Sequence, residues 1–150
     1  MSKKEGMPTF VGVVYPEHTD HMGHMNVRQY VGMFDQATWV FFSRMGITSQ
    51  YMRDTGIGMA AVSQHIEYKR ELFPGDTIAI FTEPIKVTNS TSRFKHTMVC
   101  QEDGEIVATA ELTAVHISRD AHKSRPFPHE IRAAFEEALA VNQVPFSVTE

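Results

Sequence analysis

Nine residues, His18-Thr19-Asp20-His21-Met22-Gly23-His24-Met25-Asn26, hold a carboxylate, three histidines, a glycine and an asparagine, and run straight into Val27-Arg28-Gln29-Tyr30. A carboxylate such as Asp20 can attack a carbonyl or take a proton from water, and a histidine such as His24 can hold a loop or assist a proton transfer. Gly23 removes a side chain where the loop must bend and a substrate approach. Asn26 has the side chain of a helix N-cap. The first N–H groups of a helix beginning at Val27 have no intrahelical partner and sit at the positive end of its dipole, so an N–H near Val27 can donate to a developing oxyanion. The same field favours an ionised carboxylate at that helix end.

A long helix must follow for this to work, and the pattern predicts one over 27–45. Val27, Tyr30, Val31, Phe34, Ala37, Val40, Phe41 and Met45 recur at three- and four-residue steps, while Arg28, Gly32, Asp35, Gln36 and Ser43 fall opposite. Gly46 can take the left-handed conformation that ends it. Trp39 falls on the polar side beside Gln36, so that face is expected to meet something other than water.

The whole chain has 150 residues, 42% hydrophobic and 21% charged, which is the make-up of one globular domain over 1–150. Its net charge of −4 offers no general attraction to nucleic acid, and no Lys/Arg cluster with interleaved aromatics overrides that. No apolar run is long enough to span a membrane and no secretory leader follows Lys3-Lys4, so the cytoplasm is the expected setting. The single cysteine, Cys100, lies in an apolar strand pattern and reads as a buried, inert thiol.

Read in order, residues 1–7 look frayed and Thr9 to Tyr15 forms a first strand stopped by Pro16. The motif loop and long helix follow, then a short helix from Ser49, capped by that residue, to Asp54. Met59 to Leu72 reads as a strand with Val62, Ile66 and Tyr68 on one face and Ser63, His65 and Glu67 on the other. Phe73-Pro74-Gly75-Asp76 is a turn. Thr77 to Val87 is a strand in which Pro84 marks a bulge or an edge. Ser92 to Gln101 alternates Phe94, His96, Met98 and Cys100 against Arg93, Lys95, Thr97 and Val99, Glu102-Asp103-Gly104-Glu105 turns the chain, and Ile106 to Ser118 is a strand with Ala108, Ala110, Leu112 and Ala114 on one face. A second amphipathic helix runs from Pro128 to Val141. Tight turns between consecutive strands imply antiparallel pairing, and the long helix must bury its apolar stripe, so the fold class is α+β with about five antiparallel strands wrapped round one long helix.

Element order and motif together resemble the hotdog fold, and within it the 4-hydroxybenzoyl-CoA thioesterase-like family. That family's pattern resembles Asp-x-Asp-x-x-Gly-His-x-Asn before the helix, an aromatic a few residues on and a Gly-Asp turn. Here it reads His18 to Asn26, then Tyr30, with Gly75-Asp76 as the turn, over roughly residues 9–118. His18 stands where many members have the first Asp, and the second falls on Asp20.

The resemblance implies an acyl-CoA thioesterase in which Asp20 acts as nucleophile or general base, with the helix N-terminus at Val27 as oxyanion site and Gly23, His24 and Asn26 in support. It implies no cofactor beyond the coenzyme A of the substrate, and a homodimer that pairs again in some members as a homotetramer. Tyr30, Trp39 and His65 are candidates to meet substrate, His65 from the sheet or a neighbouring subunit. Met33, Phe42 and Met59 are further candidates to line an acyl pocket. Coenzyme A carries phosphates, for which Lys86, Arg93 and Lys95 round the Asn89-Ser90 turn, or Lys69 and Arg70 before the other turn, supply cations. Two rivals compete. His18, Asp20, His21 and His24 pass a simple ligand count for a metal, though that leaves the Gly-His-x-Asn continuation unexplained. A noncatalytic acyl-thioester binding module could use the same fold.

Overall fold

The computed structural model describes residues 6–143. The expected fraying of the first residues lies, for 1–5, outside them. The described chain runs β1 (Phe10–Val13), a one-turn 3-10 helix (Pro16–His18), α1 (Val27–Arg44), α2 (Ser49–Thr55), β2 (Ile57–Tyr68), β3 (Thr77–Val87), β4 (Thr91–Cys100), β5 (Ile106–Ser118) and α3 (His129–Gln143). The strands form one antiparallel sheet in the order β1-β3-β4-β5-β2, which leaves β2 at an edge. The α+β expectation holds, and the curled sheet packed on α1 is the hotdog arrangement.

α1 starts where the sequence says. Asn26 is the N-cap and its side-chain oxygen accepts from the Arg28 N–H at 2.8 Å. Its buried face, however, is Tyr30, Met33, Phe34, Ala37, Thr38, Phe41 and Phe42, while Val27 and Val40 are exposed. The stripe is rotated from the expected one because Met33 and Phe42 are larger than Val40 and fill the core better. Thr38 turns inward as well, since its hydroxyl has partners there. Ala108, Ala110 and Ala114 on β5 are all buried.

Three register shifts interrupt the sheet, the last of them between Met98 and Val99 of β4. The β2–β5 register skips Val62, so Met59 and Ala61 face the helix before it and Gln64, Ile66 and Tyr68 after it. Val62 therefore does not share a face with Ile66, and is 61% exposed. A second shift follows Pro84 in β3. β2 also stops at Tyr68 rather than Leu72: the Lys69 and Arg70 N–H groups both donate to the Val107 carbonyl, and the chain then leaves the sheet. α2 is capped by Thr48, whose hydroxyl accepts from Tyr51, not by Ser49. α3 packs Ile131 and Phe135 into the core, with Phe135 against Phe41 and Phe127.

Candidate active site

The loop between the 3-10 turn and α1 is a closed, hydrogen-bonded unit. The Asp20 N–H donates to the His24 carbonyl at 3.3 Å, the Gly23 N–H returns to Asp20 O at 2.9 Å, and the Asn26 N–H reaches His18 O at 2.9 Å. Gly23 sits at φ +88° with open space round the place of a Cβ, so conformation rather than room demands glycine. His18 accepts the Tyr15 N–H on Nδ1 at 2.9 Å, a role a carboxylate oxygen fills equally well, which accounts for histidine where the family pattern has Asp.

Asp20 is the chemical centre of this loop. Its Oδ2 accepts from Asn26 Nδ2 at 2.5 Å and its Oδ1 from the Met22 N–H at 2.8 Å. These two donors, Asn26 first, hold the carboxyl below its ordinary pKa of 3.8. Asn26 thus joins helix and carboxylate: its oxygen caps α1 and its nitrogen holds Asp20, which fixes the amide orientation. The Val27 N–H, at the first position of α1, has no hydrogen-bond partner among the described residues.

A second segment clamps the loop from outside. The Met25 N–H donates to Leu72 O at 2.8 Å, and His24 Nε2 lies 3.4 Å from Glu71 Oε2 with its ring edge-on to Phe73. Tyr30 donates its hydroxyl to Arg70 O at 3.2 Å and packs against Tyr68, and burial, then Glu71, pushes its pKa up to about 12. His24, Val27, Tyr30, Tyr68, Lys69 and Arg70 line a cleft of about 240 Å³. On the other side of the helix N-terminus a groove of about 460 Å³ runs along α1 against β2 and β5. Trp39, Phe42 and Met59 line it, while Met33 is in the core.

The structure gathers Asp20, Gly23, His24, Asn26, Val27, Tyr30 and Trp39 round the start and flank of α1. Within one chain it does not bring His65, Arg93 or Lys95 there. His65 pairs with Glu67 at 3.2 Å on the face of β2 turned away from α1, and Arg93 pairs with Glu111 while Lys95 sits on the same outer face of β4. Spacing missed Glu71 and Tyr68, which reach the loop only through the sheet. Arg28 and Asp35, on the polar side of α1 with Trp39, line the groove. His18, Asp20, His21 and His24 do not converge as metal ligands: among the described residues no three His, Cys, Asp or Glu side chains stand close enough to share an ion.

A curled antiparallel sheet round one helix, with an Asp-bearing loop at that helix's N-terminus, defines a hotdog-fold thioesterase-like protein. Residues 14–135 match the thioesterase-like superfamily, and the chain belongs to that family. It is 26% identical to the betainyl-CoA thioesterase of Pseudomonas aeruginosa over 89% of this chain and 84% of that one. It is 22% identical to the long-chain acyl-CoA thioesterase FadM of Escherichia coli over 81% and 92%. Among solved structures it resembles a Staphylococcus aureus protein in complex with CoA, with a TM-score of 0.83 at 19% identity over 87% of this chain and 82% of that one. A DHNA-CoA thioesterase from the same organism gives 0.79 at 20% identity over 89% and 91%.

Proposed function

We propose that this protein hydrolyses acyl-CoA thioesters, water and the thioester giving a carboxylic acid and free coenzyme A, with Asp20 as the catalytic carboxylate. The observation that carries the reading is Asp20 held ionised by Asn26 and the Met22 N–H at the start of α1, beside the unpartnered Val27 N–H. The thioester oxygen takes the Val27 N–H as charge develops on it. Asp20 then either attacks the carbonyl carbon, expelling the CoA thiolate and leaving a mixed anhydride for water to open, or takes a proton from the water that attacks. Both routes need the ionised form. His24 and Asn26 hold the loop. Lys69 and Arg70, at the cleft beside His24, are the cations best sited for the CoA phosphates, although each already has a carboxylate: Lys69 meets Glu67 at 2.9 Å and Arg70 meets Asp103 and Glu105 at 2.8 Å.

The working unit in this reading is a homodimer formed across the β2 edge and the open side of α1. Val62, Tyr68 and Trp39 are exposed there, and β2 has unpaired backbone along one side. The relatives named for betainyl-CoA and long-chain acyl-CoA set the range of acyl groups to try.

The test is thiol release from a panel of short, long, aromatic, betainyl and other polar acyl-CoAs, with wild type and Asp20→Asn, with and without chelator. Hydrolysis of at least one ester, lowered about a hundredfold or more in the variant and indifferent to chelator, supports the reading. No release from any ester, with equal binding by both proteins, moves it to the binding module. Rapid-quench mass spectrometry separates the two routes, because only the anhydride route adds the acyl mass to the protein.

A further inference from the structure

Arg70-Glu71-Leu72-Phe73, which lie between β2 and β3, grip the Asp20 loop and the start of α1 with four consecutive residues. Arg70 O accepts the Tyr30 hydroxyl, Leu72 O accepts the Met25 N–H at 2.8 Å, and the Phe73 ring stands edge-on to His24 at a centroid distance of 6.4 Å. Glu71 makes the one grip of the four that runs through a charged side chain, its Oε2 lying 3.4 Å from His24 Nε2. The two cations beside it in the chain do not take this carboxylate. Lys69 turns to Glu67, and Arg70 to Asp103 and Glu105, which leaves His24 as the ion-pair partner of Glu71 among the described residues. The imidazole suits that place: its Nδ1 faces Met25 O at 3.4 Å and its Nε2 faces Glu71, so each ring nitrogen has an acceptor in front of it.

The loop depends on such a grip because its two flanks are joined by little. Thr19 and Met25 form a single bridge, and the bond from the Asp20 N–H to His24 O, at 3.3 Å, is longer than the other backbone bonds of residues 18–26. His21, Met22 and Gly23 at the tip are exposed. Met25 is buried and anchors its own flank in the core, but Asp20 stands on the other flank and meets the anchored one through the His24 peptide.

We propose that Glu71 is a positioning residue for Asp20: by holding the His24 ring it fixes the peptide that receives the Asp20 N–H, and so sets where the Asp20 carboxylate stands against a thioester carbonyl at Val27. The inference rests on the thioesterase reading and adds a residue to it. Glu71 acts through His24 and not on the reacting atoms. A pair this open to water, with side chains 27% and 63% exposed, adds little to the stability of the whole fold. Local opening of a loop takes far less free energy than unfolding, and that opening is what the pair opposes. Its signature is therefore kinetic, since reacting groups displaced by about an ångström can lose about a hundredfold in rate while binding is kept.

The test compares wild type, Glu71→Gln, Glu71→Ala, His24→Gln and the double variant Glu71→Ala with His24→Gln. It reads kcat and KM on the acyl-CoA that wild type cleaves fastest, the urea midpoint, and deuterium uptake of residues 18–26 by mass spectrometry. Glu71→Ala is expected to lower kcat about tenfold or more, with KM within about twofold, an unchanged urea midpoint and faster uptake across 18–26. Glu71→Gln keeps an oxygen for Nε2 and should lose less. Once His24 is replaced, Glu71→Ala should lower kcat no further. A higher KM at unchanged kcat overturns the proposal and makes Glu71 a substrate contact. An equal loss of kcat with and without His24 overturns it as well, because Glu71 then does not act through the ring, and so does a Glu71→Ala protein with unchanged kcat and uptake. If wild type cleaves no thioester while Glu71→Ala speeds uptake only when His24 is present, the clasp on the Asp20 loop stands and the hydrolase reading falls.

Discussion

At the scale of the residue, Asn26 does two things that one experiment can separate. Its oxygen caps α1 and its nitrogen holds Asp20. In the proposed mechanism Asp20 must be ionised to react, and its pKa lies below 3.8, so activity should persist as pH falls to that range and be lost only as pH passes through the lowered value. Asn26→Asp keeps the cap oxygen but replaces the donor with a second carboxylate, so one proton is retained by the pair to higher pH. The acid limb of kcat/KM should move upward, with melting little changed. Asn26→Ala removes cap and donor together and should in addition cost about 1 kcal/mol of stability by urea titration. Asp20, Gly23 and Asn26 were legible because they act on one another through a loop of nine residues. Glu71, the partner of His24, was not, since nothing local links a residue of the β2–β3 connection to the first loop. The polar side of α1 was marked by Trp39 as a face that meets something other than water, but the sheet residues that form the groove's other wall were not legible with it.

At the scale of the element, α1 is joined to the sheet by a buried polar chain as well as by packing. Thr38 Oγ1 lies 2.7 Å from His96 Nε2, His96 Nδ1 lies 2.7 Å from Thr82 Oγ1, and Thr82 meets Thr9 at 2.8 Å, all under a ring stacked on Phe34. Thr38→Val keeps the shape of the side chain but strands the imidazole nitrogen, and should cost about 1–3 kcal/mol. Burial lowers the His96 pKa to about 3. The folded protein therefore holds this ring neutral while the unfolded chain takes up a proton near pH 6.5. Stability falls as pH drops from there toward 3, by up to about 1.4 kcal/mol per pH unit. In His96→Gln the pH dependence of urea stability should flatten over that window, less whatever His116, also lowered by burial, contributes. The alternation in β4 did reveal that His96 faces inward with Phe94 and Met98. In β2 the same reading failed at Val62, because a bulge exchanges the two faces and leaves no mark in the residue types.

At the scale of the whole molecule, the sheet order was beyond the sequence. Tight turns gave the neighbours β3-β4-β5, but nothing local says that β1 joins β3 or that β2 crosses to the far side of β5. That order makes β2 an edge and exposes Val62, so Val62→Lys should shift the proposed homodimer toward monomer in light scattering at micromolar concentration and lower specific activity with it. The order also bears on how the site comes into being. The Asp20 loop is synthesised early and can close on itself, but its clamp, Met25 to Leu72 and His24 to Glu71, waits for β2 and β3, and β2 in turn waits for β5. Pairings so distant in sequence form slowly, in milliseconds to seconds for sheets of this kind. After dilution from urea, helix signal should return first, and thiol release should reappear only with the slowest phase of sheet formation. The Asp20 loop is thus among the first parts of the chain to exist and among the last to be finished.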